Sequence, residues 1–89
     1  SYLVAPALGG GIGIDLVEFL AISSVWNGAD EDVEALTAYV MECFDDTGRV
    51  VREEGSLIRD PEAARVIVAQ RVGKALGRLH DLFPRLGIA

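Results

Sequence analysis

Asp60–Phe83 reads DPEAARVIVAQRVGKALGRLHDLF, and the pattern of this stretch decides what kind of chain it belongs to. Asp60 offers a side-chain oxygen to cap a helix, Pro61 suits a first turn whose N–H groups have no partner anyway, and Glu62 favours the positive end of the helix dipole. From there Ala64, Val68, Val72, Ala75, Leu76, Leu79, Leu82 and Phe83 fall on one side at about 100° per residue, until Pro84 ends the pattern. A helix over 61–83 is predicted. Two other strips run along it, a charged one of Arg71, Lys74, Arg78, Asp81 and Arg85, and a small-residue one of Val66, Ala69, Gly73, Gly77 and His80.

The small-residue strip calls for a reason, because each glycine inside a helix costs about 1 kcal/mol relative to alanine. Close approach of another helix is the usual one. The expected neighbour is the first helix of the same chain, and the alternative is the same strip of a second copy. Gly77→Leu separates a covered strip, where stability or assembly falls, from an open one, where the change is neutral or slightly stabilising. His80 is expected as a structural histidine near a helix C-terminus, with a pH-sensitive interface contact as the sharper alternative.

Working outward, Thr47–Asp60 (TGRVVREEGSLIRD) holds Val50-Val51 and Leu57-Ile58 around Glu53-Glu54-Gly55, which suits a short hairpin and an irregular loop equally. Before it, a second helix is predicted over 30–46. Asp30, Glu31, Asp32 and Glu34 open it, and Val33, Leu36, Val40, Cys43 and Phe44 make its apolar face. A first helix is predicted over 14–26, with Asp15 as cap, Glu18 bonding back to it, Ile14 stapled onto Phe19, and Asn27-Gly28 as the stop. Residues 1–13 then form an apolar, glycine-rich arm and 84–89 a tail. The expected fold is all-α, a compact three-helix bundle over 14–83 in a single domain, as a chain of 89 residues suggests.

Composition and charge remove several classes of function. The hydrophobic fraction of 51% and mean hydropathy of +0.32 are high for so small a body, which needs proportionally more polar surface. Nine acids and no base precede Arg49, whereas all eight bases and five acids follow, giving a net charge of −6. No run of Lys or Arg occurs, so neutralisation within the fold or between subunits is expected rather than nucleic-acid binding. Arg71, Lys74 and Arg78 are the candidate phosphate contacts if that class is entertained. The run Ile12–Trp26 falls short of the roughly 20 residues that span a bilayer and carries Asp15 and Glu18, so no membrane role is expected. A single cysteine, Cys43, cannot form an internal disulfide and suits a reducing, cytoplasmic setting, where helical spacing would bury it.

Chemistry-bearing motifs fare no better. Gly9–Gly13 (GGGIG) precedes a helix, but it lacks the Lys and Ser/Thr of a phosphate loop and a βαβ context, and Asp15 and Glu18 would repel a phosphate. Gly13–Leu20 (GIDLVEFL) resembles, over these few residues, the helix after the prosthetic-group serine of acyl-carrier proteins; Leu16 follows Asp15 directly, so the serine is missing. With Gly48 at position 6 of a calcium loop, Asp45, Thr47 and Glu54 fall at positions 3, 5 and 12, but Cys43 takes the essential first position. Asp45-Asp46 and Glu53-Glu54 suit solvated surface. One Cys and one His give neither a zinc site nor a nucleophilic constellation, so no catalytic residue, metal or cofactor is expected.

What remains is the first helix, apolar in every direction beyond what two neighbours can cover. The expected function is a small acidic helical module for protein–protein interaction or homo-oligomerisation. Its expected interface is built from Leu16, Phe19, Leu20, Trp26, Ala69, Gly73, Gly77 and His80. The alternatives are a small-molecule-binding regulatory domain or enzyme subunit, with a pocket between the first and third helices lined by Trp26 and His80, and a nucleic-acid-binding bundle.

Overall fold

A computed structural model describes residues 2–5 and 12–84, with side-chain surroundings from Asp15 onward. The element order is β1 (Tyr2–Ala5), β2 (Ile12–Asp15), α1 (Leu16–Trp26), α2 (Val33–Asp46), β3 (Val51–Glu53), β4 (Ser56–Ile58) and α3 (Pro61–Leu82). The molecule is mostly helical but not all-α, because two antiparallel hairpins accompany the three helices.

The first hairpin corrects the expected arm. β1 pairs with β2 in the register Tyr2↔Asp15 to Ala5↔Ile12, so a strand rather than a helical turn leads into α1. Ile14 belongs to that strand, and helix begins only at Leu16. Residues 9–11 of the glycine-rich segment, and the tail with Arg85, lie outside the described residues. A strand does precede α1, contrary to expectation, but it belongs to an antiparallel hairpin and not to a βαβ unit.

Three aspartates set the helix starts. Asp15 accepts from the N–H of Val17 at 2.8 Å and of Glu18 at 3.4 Å, Asp32 from Glu34 and Ala35 at 3.0 and 3.3 Å, and Asp60 from Ala63 at 3.0 Å. Capping by Asp32 shortens α2 from the expected 30–46 to 33–46, leaving Asp30 and Glu31 in the connection from α1. Glu18 does not bond back to its cap, because its carboxylate is drawn across to Arg78 of α3. Gly28, at φ 104°, takes the left-handed conformation that ends α1 behind Asn27.

The second hairpin settles Thr47–Asp60. Val51 pairs with Ile58 and Glu53 with Ser56, leaving the two-residue turn Glu54-Gly55 with φ of 48° and 84°. Two positive φ values define the type I′ turn, whose twist matches a tight hairpin. Val51 is buried and Ile58 packs against the core, so the hairpin closes the far end of the α2–α3 pair.

The core collects Val17 and Ala21 of α1, Leu36, Val40 and Phe44 of α2, Val51, and Ala64, Val68, Val72, Ala75, Leu76 and Leu79 of α3. Asp15, Glu18 and Trp26 of α1 meet Arg71, Arg78 and Phe83 of α3 in ascending order, so these helices run parallel. His80 meets Glu31 at the opposite end of α2, which therefore runs antiparallel to α3. Each apolar face differs from its predicted set in part. Thr37 is buried on α2 while Val33 is exposed and Cys43 only half-buried, and on α3 Leu82 and Phe83 face outward.

The small-residue strip is the largest correction. A Cβ placed on Gly73 or Gly77 meets no atom of the described residues within 4 Å, so α1 does not cover the strip. The two glycines face open space among the described residues and retain the full helical cost of glycine. Gly73→Ala and Gly77→Ala are each expected to raise unfolding stability by up to about 1 kcal/mol, measured by urea denaturation at low protein concentration. A loss instead would show that the strip is covered in an assembly.

Candidate functional site

α1 has only two fully buried positions and many more apolar residues than that. Val17 and Ala21, one turn apart, are sealed in the core, and Leu16, Leu20, Ile22 and Val25 lean partly on it. Phe19 and Trp26 point outward, 43% and 62% exposed. Trp26 does not stand alone, because Phe83 at the end of α3 packs on it edge-to-face with ring centroids 5.4 Å apart. Beside this pair, Phe19, Ile22, Ser23, Trp26 and Asn27 line a groove of about 280 Å³.

The serines in this helix add little polarity to that groove. Ser24 donates its hydroxyl to the Leu20 carbonyl at 2.7 Å, and Ser23 donates to the same oxygen at 3.3 Å. Hydroxyls turned back on the preceding turn leave only their methylene flanks for a neighbour. Across the ridge of Ser23 and Asn27 lies a second groove, of about 540 Å³, between the end of α1 and the start of α2. Ser24, Asp30, Asp32, Leu36 and Tyr39 complete its walls. The Cys43 side chain one turn along α2 raises the Tyr39 phenol above its ordinary pKa, and Ser24 pulls weakly the other way.

Charge is distributed unevenly around these grooves. Arg71 bridges three elements, with Nη1 3.5 Å from Asp15 at the head of α1, and Nη2 donating to Glu53 at 3.0 Å and to the Arg52 carbonyl. Arg78 pairs with Glu18 at 2.5 Å. The acids at the start of α1 are thus answered by α3. Glu31 meets His80, while Asp30, Asp32 and Glu34 make no salt bridge among the described residues.

The expected interface residues therefore separate. Phe19 and Trp26 share the outer groove, whereas Leu16 and Leu20 are largely used by the core. Gly73 and Gly77 lie on the exposed side of α3, Ala69 is half-buried, and His80 is tied to Glu31. Of the three basic residues expected to contact phosphate, Arg71 and Arg78 hold ion pairs inside the chain and Lys74 is exposed. Trp26 and His80 do not line a common groove among those described; the large groove lies between α1 and α2, not between α1 and α3. Helical periodicity does not single out Tyr39 and places Phe83 on the core side of α3, although Phe83 beside the helix-ending Pro84 was the available signal.

Comparison with protein-family models, curated proteins and solved structures finds no match. The grooves must be read from their chemistry. Among the described residues no group of three or more His, Cys, Asp or Glu is arranged to hold a metal ion, and no helix is long and apolar enough to cross a membrane.

Proposed function

We propose that the chain is a protein-interaction module whose docking face is the outer side of α1. The observation that carries this reading is the groove between Phe19, Ile22 and Trp26, with Trp26 backed by Phe83, on a helix whose other side is already sealed in the core. Large aromatic side chains kept outside a core that has room for few of them are what interfaces draw on, since Trp and Tyr or Phe anchors supply most of the energy of docking. A cytoplasmic setting belongs to the same proposal, on the strength of the lone thiol of Cys43.

Nucleic acid is the weaker reading because Arg71 and Arg78 are engaged by Asp15, Glu53 and Glu18. Freeing them for phosphate would uncover those carboxylates beside the incoming charge.

The test is whether the groove behaves as accessible apolar surface in the folded protein. An environment-sensitive apolar dye is expected to bind the native chain, or light scattering to show mass rising with concentration. Phe19→Ser with Trp26→Ser is expected to abolish either signal while the thermal midpoint moves little. A native protein that neither binds the dye nor associates overturns the reading.

A further inference from the structure

The apolar groove and the acidic groove are not two separate features, because Ser23 and Asn27 form a wall of both. Together they make one surface, apolar on one side of that ridge and carrying Asp30 and Asp32 on the other. All of it comes from the part of the chain before Arg49, which contains no Lys or Arg. Every base follows α2 in the sequence, and Arg71 and Arg78 are spent on Asp15, Glu53 and Glu18. Among the described residues Asp30 and Asp32 pair with no base, Asp32 accepting only the N–H groups at the start of α2, so both carboxylates present negative charge beside the apolar slot.

We infer that the occupant of this surface is a cationic amphipathic segment. Its apolar side chains enter the slot between Phe19, Ile22 and Trp26, and a Lys or Arg reaches over the Ser23–Asn27 ridge to Asp30 and Asp32. This rests on the reading of α1 as a docking face and adds the partner's chemistry. A helix with apolar residues three and four apart and bases on one flank has that distribution. Carboxylates at the rim speed encounter and select the sign of the partner, while the aromatic slot supplies most of the affinity.

Trp26 is the only tryptophan and stands in the slot, so its emission reports occupancy directly. The full chain is titrated with a 14-residue peptide of Leu and Lys at helical spacing, beside a Leu/Glu peptide of the same pattern, at two salt concentrations. The expected result is a saturable blue shift with Leu/Lys, at least tenfold weaker binding in high salt, and none with Leu/Glu. Asp30→Asn with Asp32→Asn should weaken binding at least fivefold, and asparagine at position 32 still caps α2. Asp45→Asn with Asp46→Asn, equal in charge at the far end of the same helix, should leave binding within twofold. Equal losses from both pairs would mean attraction by net charge alone and overturn the inference. Equal binding of both peptides would overturn it while sustaining an apolar docking face. A blue shift rising with protein concentration alone would assign the slot to a second copy, against this inference but for the interaction reading. No response to either peptide, with no dye binding and no association, would remove both.

Discussion

Leu79→Ala is expected to cost about 3 kcal/mol of unfolding stability, whereas Leu82→Ala, one turn further along the same helix, is expected to cost less than about 0.5 kcal/mol. Both leucines lie on the apolar side that the sequence assigns to α3, and periodicity does not distinguish them. Their exposures do, at 1% for Leu79 and 68% for Leu82. Leu79 is among the largest fully buried side chains, so truncation leaves a void inside the packed structure. Leu82 faces outward, although Phe83 beside it packs on Trp26 of α1. A loss near 3 kcal/mol is large against the roughly 5–15 kcal/mol that holds a typical domain together, so chemical denaturation of the two variants gives a clear separation. Similar costs at both positions would mean that the end of α3 is covered by a further chain, which would enlarge the docking face from Phe83 to Leu82.

The contrast between these leucines also shows where sequence reasoning carries and where it stops. Asp60-Pro61-Glu62 and the i, i+3, i+4 spacing locate α3 to within a residue, because capping and periodicity are local properties. Asp15, Asp32 and Asp60 all cap, yet only Asp15 and Asp60 were legible as caps, since Asp30, Glu31 and Asp32 are three acids in succession and any could begin α2. The β1–β2 hairpin was not legible: its pairing joins residues seven to thirteen apart across a glycine-rich segment, and Tyr2–Ala5 has none of the alternation that marks a half-buried strand. Glu54-Gly55 makes its tight turn with glutamate where asparagine or aspartate is the familiar signal, which left hairpin and loop equal. At the site, the surplus of apolar residues on α1 was legible by composition, but its outlet was not. Which side of α1 is left bare depends on the parallel packing against α3, and that is fixed by Asp15–Arg71 and Glu18–Arg78, contacts 56 and 60 residues apart.

The open glycine strip follows from the same packing. With Val17 and Ala21 of α1 sharing one core with Val68 and Val72 of α3, a Cβ on Gly73 or Gly77 meets no atom of the described residues within 4 Å. The small residues therefore do nothing for the internal fold, and the helix carries their cost. That separates two surfaces that sequence spacing had merged into one interface, an aromatic slot on α1 and a bare stripe on α3. Of the two, the slot is the one that carries exposed aromatic side chains.

Thr37→Val is expected to stabilise the protein by about 1–3 kcal/mol, the release of a buried hydroxyl that has no partner. Thr37 is 2% exposed, among the most deeply buried side chains, and its Oγ1 makes no hydrogen bond with the described residues. A threonine inside a helix ordinarily satisfies its hydroxyl on the carbonyl one turn back, as Thr47 does on Cys43 at 2.7 Å at the end of the same helix. At Thr37 that bond is missing, so the hydroxyl is desolvated with nothing in return, and a methyl group of nearly the same shape would suit the surrounding Leu36, Val40 and α3 side chains better. Helix propensity does not confuse the comparison, since threonine and valine rank together. Thr37→Ser provides the opposing control, because it keeps the hydroxyl and removes the buried methyl, and should cost about 1 kcal/mol. Urea denaturation of the three proteins therefore has a definite expected order, valine above threonine above serine. Valine below threonine would show that the hydroxyl is hydrogen-bonded in solution, to a water held between α2 and α3, and that this core is polar at its centre.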